Sequence, residues 1–136
     1  DVFLPHMEEV LGDDFLYGGV ATSSEKYREL DKADIFLLPS IYGEGLPMAI
    51  LEAMSSRCVV VASEMASVAA VIDDGVNGYL IEPGNTGQLI NRLKMLLDSR
   101  EEWPQVQGSA VETVRSQFAI DGYIDALEAI YRSTSR

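Results

Sequence analysis

Short apolar runs alternate along this chain with stretches of helical period, a pattern that predicts an α/β layered fold. Ile35-Phe36-Leu37-Leu38 reads as a buried strand, closed by Pro39-Ser40. Residues 59–62 carry three successive valines, as strands of parallel sheets prefer. Tyr79-Leu80-Ile81 reads as a third strand, entered from the turn at Asn77-Gly78. Phe15-Leu16-Tyr17 reads as a further strand ending at Gly18-Gly19, and Val2-Phe3-Leu4 as the remnant of one. Helices are expected over 5–11, 47–55, 67–72, 101–117 and 120–133. Thr22 with Glu25 three positions on marks a capped helix through Leu30. Thr86 caps another to Leu97, with Leu89, Ile90, Leu93, Leu96 and Leu97 on one face. No linker rich in Pro, Gly or Ser divides the chain, so 1–136 reads as one domain closing on the helices of 101–133.

The segment PSIYGEGLPMAILEA, residues 39–53, joins a strand to a helix through a Gly/Pro turn. That layout holds ligands at the carboxyl ends of parallel strands in α/β folds. Pro47 suits the first turn of the helix, where its missing N–H costs nothing. The free amides there, with the positive end of the helix dipole, form an anion site. Glu44 stands at the mouth of the turn. Glu52 follows eight residues later, about 12 Å along the axis and on about the same face. Two carboxylates so placed can grip two hydroxyl-bearing parts of one ligand, with its anionic part at the helix tip.

Charge narrows the ligand class. Ten basic against 22 acidic residues give a net charge of −12, which argues against nucleic-acid binding. It also counts against a phosphate-bearing ligand, unless backbone amides and a few local cations hold the phosphates. Lys26, Lys32 and Arg57 are the nearest cations in sequence and read otherwise as surface charges. One cysteine, Cys58, in an apolar strand pattern reads as a small buried hydrophobe and suits a reducing, cytoplasmic compartment. A single His6 beside one cysteine offers no zinc spacing, so no metal is expected. No apolar run approaches the length of a membrane span, and DVFLPHMEEV does not read as a signal peptide.

The ordered set PS…GEGLP…LEAM…VVVAS…DGVNGYLIEPGN, over about residues 15 to 131, resembles the donor-binding C-terminal domain of retaining GT-B glycosyltransferases of group 1, which carry a Glu-x7-Glu motif. The resemblance implies a Rossmann-like parallel sheet with helices on both faces. It implies transfer of a sugar from a nucleoside-diphosphate sugar, UDP- or GDP-linked, to an acceptor hydroxyl of a polysaccharide or lipid-linked glycan. No cofactor is implied beyond that donor. By resemblance Glu44 meets the transferred sugar and is the catalytic carboxylate, and Glu52 holds the ribose hydroxyls. The backbone of Gly45, Leu46, Pro47 and Met48 meets the sugar and diphosphate, and Val20 frames the base.

Three departures from the family pattern stand out. Ala66-Ser67 replaces a usual Gly-Gly pair, and Arg57-Cys58 a usual Gly-Pro. The opening strand and helix, with the basic Arg/Lys pair that neutralises the diphosphate, are unmatched. That strand is central in a sheet of order 3-2-1-4-5-6, and its absence would leave apolar edges unpaired. With no initiator Met, the chain is expected to be part of a larger protein, completed by an acceptor domain or partner chain. A homodimer, and peripheral membrane association through the acceptor domain, belong to the same expectation. Alone, the chain should transfer nothing. Two other readings stay open: a non-catalytic binding module of this fold, and a nucleotide-sugar epimerase.

Overall fold

A computed structural model describes residues 3–119, apart from 44 and 46. Its elements run α1 (Phe3–Leu11), α2 (Ser23–Leu30), β1 (Ile35–Leu38), α3 (Met48–Ser55), β2 (Val59–Ser63), α4 (Ala66–Ala69), β3 (Tyr79–Ile81), α5 (Thr86–Asp98) and α6 (Trp103–Gln117). The strands form one parallel sheet in the order β1-β2-β3. Ile35 pairs with Val59, and Val61 with Tyr79.

Alternation along β2 sends side chains to two separate cores. Val60 and Ala62 pack with Ile50, Ala53 and Met54 of α3, Val68 of α4 and Ala110 of α6. Val59 and Val61 pack with Tyr79, Ile81, Leu96, Trp103 and Val106. Helices therefore cover both faces, as a Rossmann-like layer requires, and α6 contributes to both cores. Every β2 residue is buried, as expected for the middle strand of a parallel sheet. The Trp103 indole is buried with its N–H satisfied, donating to the Leu96 carbonyl at 3.0 Å.

Loop chemistry fixes the helix ends. Glu25 accepts hydrogen bonds from the Thr22 amide at 2.9 Å and the Thr22 hydroxyl at 2.6 Å, closing the capping box ahead of α2. These bonds hold the Glu25 carboxyl below its usual range. Asn85, not Thr86, caps α5, because its carboxamide oxygen reaches the Gln88 amide at 2.9 Å. In the turn before β3, Asn77 is buried. It accepts from the Asp73 amide and donates to the Val71 carbonyl and the Thr113 hydroxyl, tying the turn to α6. Gly78 sits where a Cβ would stand 3.2 Å from the Val60 carbonyl oxygen, so a side chain here would crowd the turn against β2.

Several expectations need correction. Phe3 and Leu4 lie in α1 rather than a strand. Phe15-Leu16-Tyr17 is irregular, with Leu16 and Tyr17 exposed. A three-residue apolar run becomes a strand only beside a partner ladder, and none adjoins it among the described residues. Among the described residues β1 is an edge strand rather than a buried one, and Leu37 is 41% exposed. Pro47 is the N-cap of α3, one position before its first turn. The helix expected over 67–72 is a single turn, Ala66–Ala69. The helix expected over 120–133 lies outside the described residues.

Candidate functional site

The carboxyl ends of β1 and β2 and the tip of α3 meet at one cleft. Pro47 enters α3 from an extended conformation (φ −70°, ψ 116°) and supplies no side-chain cap. Its carbonyl accepts from the Ile50 amide at 3.0 Å. The first-turn amides of Met48 and Ala49 precede any intrahelical acceptor, so they are the donors left at the positive end of the helix. Gly45, Pro47, Ser40, Ser63 and Ser67 line a narrow cleft at this tip, with room for about one water, ≈ 10 Å³. Gly45 has nothing within 4 Å of a Cβ position and no positive φ. Among the described residues nothing demands glycine there.

Ser63 is the residue that sequence reasoning missed. It is the last residue of β2, 1% exposed, and its hydroxyl has no hydrogen-bond partner among the described residues. A buried hydroxyl left unpaired costs about 1–3 kcal/mol. The cleft it lines is where a ligand atom would satisfy it. Its signal in the sequence was the polar end of an otherwise apolar run, VVVAS.

Glu52 stands one turn further along α3 than Met48 and is not a wall of that cleft. Its side chain is 15% exposed. Oε1 accepts from Lys26 Nζ at 2.7 Å and from the Tyr27 hydroxyl at 3.2 Å. The hydrogen bond to Glu52 holds the Lys26 ammonium above its usual range. Lys26 is therefore a partner of Glu52 rather than an idle surface charge. Lys32 pairs instead with Glu29 at 3.1 Å.

Arg57 and Cys58 close α3. Cys58 N–H donates to the Ala53 carbonyl and Arg57 N–H to the Met54 carbonyl. This is a Schellman motif with Arg57 in the left-handed position, φ 63°. The geometry explains why glycine suits this position. Cys58 is buried, its thiol donating to the Leu30 carbonyl at 3.3 Å, and burial pushes the thiol pKa up. Ala66 and Ser67 lie in right-handed helix and adopt no positive φ, so their Cβ atoms bring no backbone strain.

Gly45, Pro47 and Met48 thus gather at the helix tip, with Glu52 further along α3. Val20 stands fully exposed in the segment before α2 and lines none of the described clefts. Glu44 and Leu46 lie outside the described residues. Among the described residues no group of three His, Cys, Asp or Glu side chains is placed to hold a metal. No described helix is long and apolar enough to cross a membrane.

Comparison with known proteins agrees with this architecture. Residues 6–99 match the family described as Glycosyl transferases group 1. The amylovoran biosynthesis glycosyltransferase AmsK of Erwinia amylovora is 34% identical over 105 residues, covering 74% of this chain and 26% of that protein. The chain spans about a quarter of the length of such curated relatives. The C-terminal domain of a glycosyl transferase group 1 family protein (LpcC) from Francisella tularensis superimposes with a TM-score of 0.75 at 27% identity, covering 85% of this chain and 60% of that one. Anabaena Alr3699/HepE, solved with UDP-glucose, gives a TM-score of 0.84 at 18% identity, covering 95% of this chain and 35% of that one, a likeness of fold. With more than half of its residues matched by the family, the chain belongs to the group 1 glycosyl transferases.

Proposed function

We propose that this chain is the donor-binding domain of a retaining glycosyltransferase with a Glu-x7-Glu motif formed by Glu44 and Glu52. The observation that carries the reading is the tip of α3, without a side-chain cap among the described residues, beside the buried Ser63 hydroxyl, which has no partner among them, at the carboxyl ends of parallel strands. That is a site built for an anionic ligand with further oxygen atoms. The ligand class is a nucleoside-diphosphate sugar, UDP- or GDP-linked, in keeping with a structural neighbour solved with UDP and with UDP-glucose.

In this reading Glu44 accepts hydrogen bonds from hydroxyls of the transferred sugar and favours positive charge developing at its anomeric carbon. The amides of Gly45, Leu46 and Met48 and the α3 dipole take up the charge of the departing diphosphate, and Pro47 fixes the entry of the chain. Glu52 holds the ribose hydroxyls, and Val20 frames the base by its backbone. The bond from the anomeric carbon to the diphosphate breaks. The acceptor hydroxyl bonds to that carbon on the same face and gives its proton to the departing diphosphate.

The acceptor is a polysaccharide or lipid-linked glycan, as names such as amylovoran biosynthesis suggest for relatives. An acceptor-binding domain, on the same protein or a partner, completes the cleft at the cytoplasmic face of a membrane. Without it the chain binds donor weakly and transfers nothing. A non-catalytic module is the second reading. Ala66 and Ser67 favour it, since they carry side chains where the family commonly has glycines. Titration with uridine diphosphate tests the first reading against the second.

A further inference from the structure

We propose that Lys26 and Tyr27, consecutive residues of α2, are positioning residues that hold Glu52 in the orientation a ribose diol needs. The proposal rests on the reading of Glu52 as the ribose-binding carboxylate. Both donors fall on one oxygen: Lys26 Nζ at 2.7 Å and the Tyr27 hydroxyl at 3.2 Å from Oε1. A carboxylate oxygen offers two lone pairs, so Oε1 is filled. Oε2 has no hydrogen-bond partner among the described residues and keeps its acceptor capacity for neighbouring hydroxyls.

Consecutive helix residues do not face one another, yet these two converge on one atom. The lysine ammonium lies over the tyrosine ring, with Nζ 5.2 Å from its centroid. The ammonium is thus held between ring and carboxylate. A carboxylate already fixed by two donors loses little freedom when it binds. A surface ion pair that merely staples α2 to α3 would contribute little and would not distinguish one nucleotide from another.

The test compares uridine diphosphate with its 2′,3′-dideoxy analogue by calorimetric titration, in wild type, Lys26→Met, Tyr27→Phe and Glu52→Gln, with circular dichroism to verify folding. Wild type should prefer the ribose form, and Lys26→Met should lower that preference about tenfold by weakening the ribose form alone. Tyr27→Phe, which removes only a hydroxyl, should lower it by a smaller factor and supplies the answer should Lys26→Met fail to fold. Adding Glu52→Gln to Lys26→Met should lower the preference little further, because the two act through one contact. If either folded α2 variant keeps the wild-type preference while Glu52→Gln abolishes it, the positioning role is wrong and Glu52 still binds ribose. If wild type binds both nucleotides equally, the reading of Glu52 falls, and the positioning role with it.

Discussion

Lys26 Nζ lies 2.7 Å from Glu52 Oε1, an ion pair that joins α2 to α3 across 26 positions of sequence. The hydrogen bond that Lys26 donates to Glu52 raises the Lys26 pKa; burial opposes this and Coulomb attraction adds to it. A lysine whose folded pKa is raised contributes stability that is fully present below its ordinary value of 10.5 and is lost as pH rises through the folded value. The denaturant midpoint of wild type should therefore exceed that of Lys26→Met at neutral pH, and the two should converge in strongly alkaline solution. A difference that stays constant through the lysine range would show that the ion pair is not its source.

Arg57 carries a left-handed backbone at the end of α3. That conformation crowds a Cβ against the following carbonyl, while glycine takes it freely. Arg57→Gly should raise stability by about 0.5–1 kcal/mol after the entropy that glycine adds to the unfolded chain. Urea unfolding measures this directly. A lower midpoint would mean that the arginine side chain makes a contribution exceeding the backbone strain.

Ser63 gives a test with opposite signs for folding and binding. Ser63→Ala removes a buried hydroxyl that has no partner among the described residues, so the free protein should be as stable as wild type or more stable, by about 1 kcal/mol. Affinity for uridine diphosphate should fall at the same time. A destabilised variant with unchanged affinity would assign the hydroxyl to the scaffold instead.

How far could the residues alone be read? The three strands, the capping box at Thr22 and Glu25, and the α3 segment were legible because each is decided within a few positions. Three valines in a row, or a Thr three residues ahead of a Glu, need no distant partner to be understood. Phe15-Leu16-Tyr17 misled for the opposite reason. A strand depends on a neighbouring ladder, which no local pattern guarantees. The candidate site divides in the same way. That Gly45, Pro47 and Met48 lead into a helix was legible from the turn-to-helix signature. Lys26 and Ser63 were not, because their roles depend on contacts between elements: 26 positions separate Lys26 from Glu52, and Ser63 meets the α3 tip only through the packing of β1 and β2.

The outer edge of β1 tests the expected partner. Leu37 is 41% exposed on a strand whose second edge is unpaired among the described residues. An apolar edge of this kind promotes association. Light scattering of the 136-residue chain should show concentration-dependent oligomers, and Leu37→Lys should reduce them. A stable monomer at high concentration would contradict the expectation that another domain or chain covers this edge.

Calorimetric titration with uridine diphosphate, wild type against Glu52→Ala, bears most directly on the donor-binding account. Wild type should bind, and the variant should lose about 10- to 100-fold in affinity while remaining folded, as expected for the loss of hydrogen bonds to a charged acceptor. Guanosine diphosphate run in parallel identifies the base. A wild-type chain that binds neither nucleotide, or a Glu52→Ala variant that binds as tightly as wild type, would contradict the account.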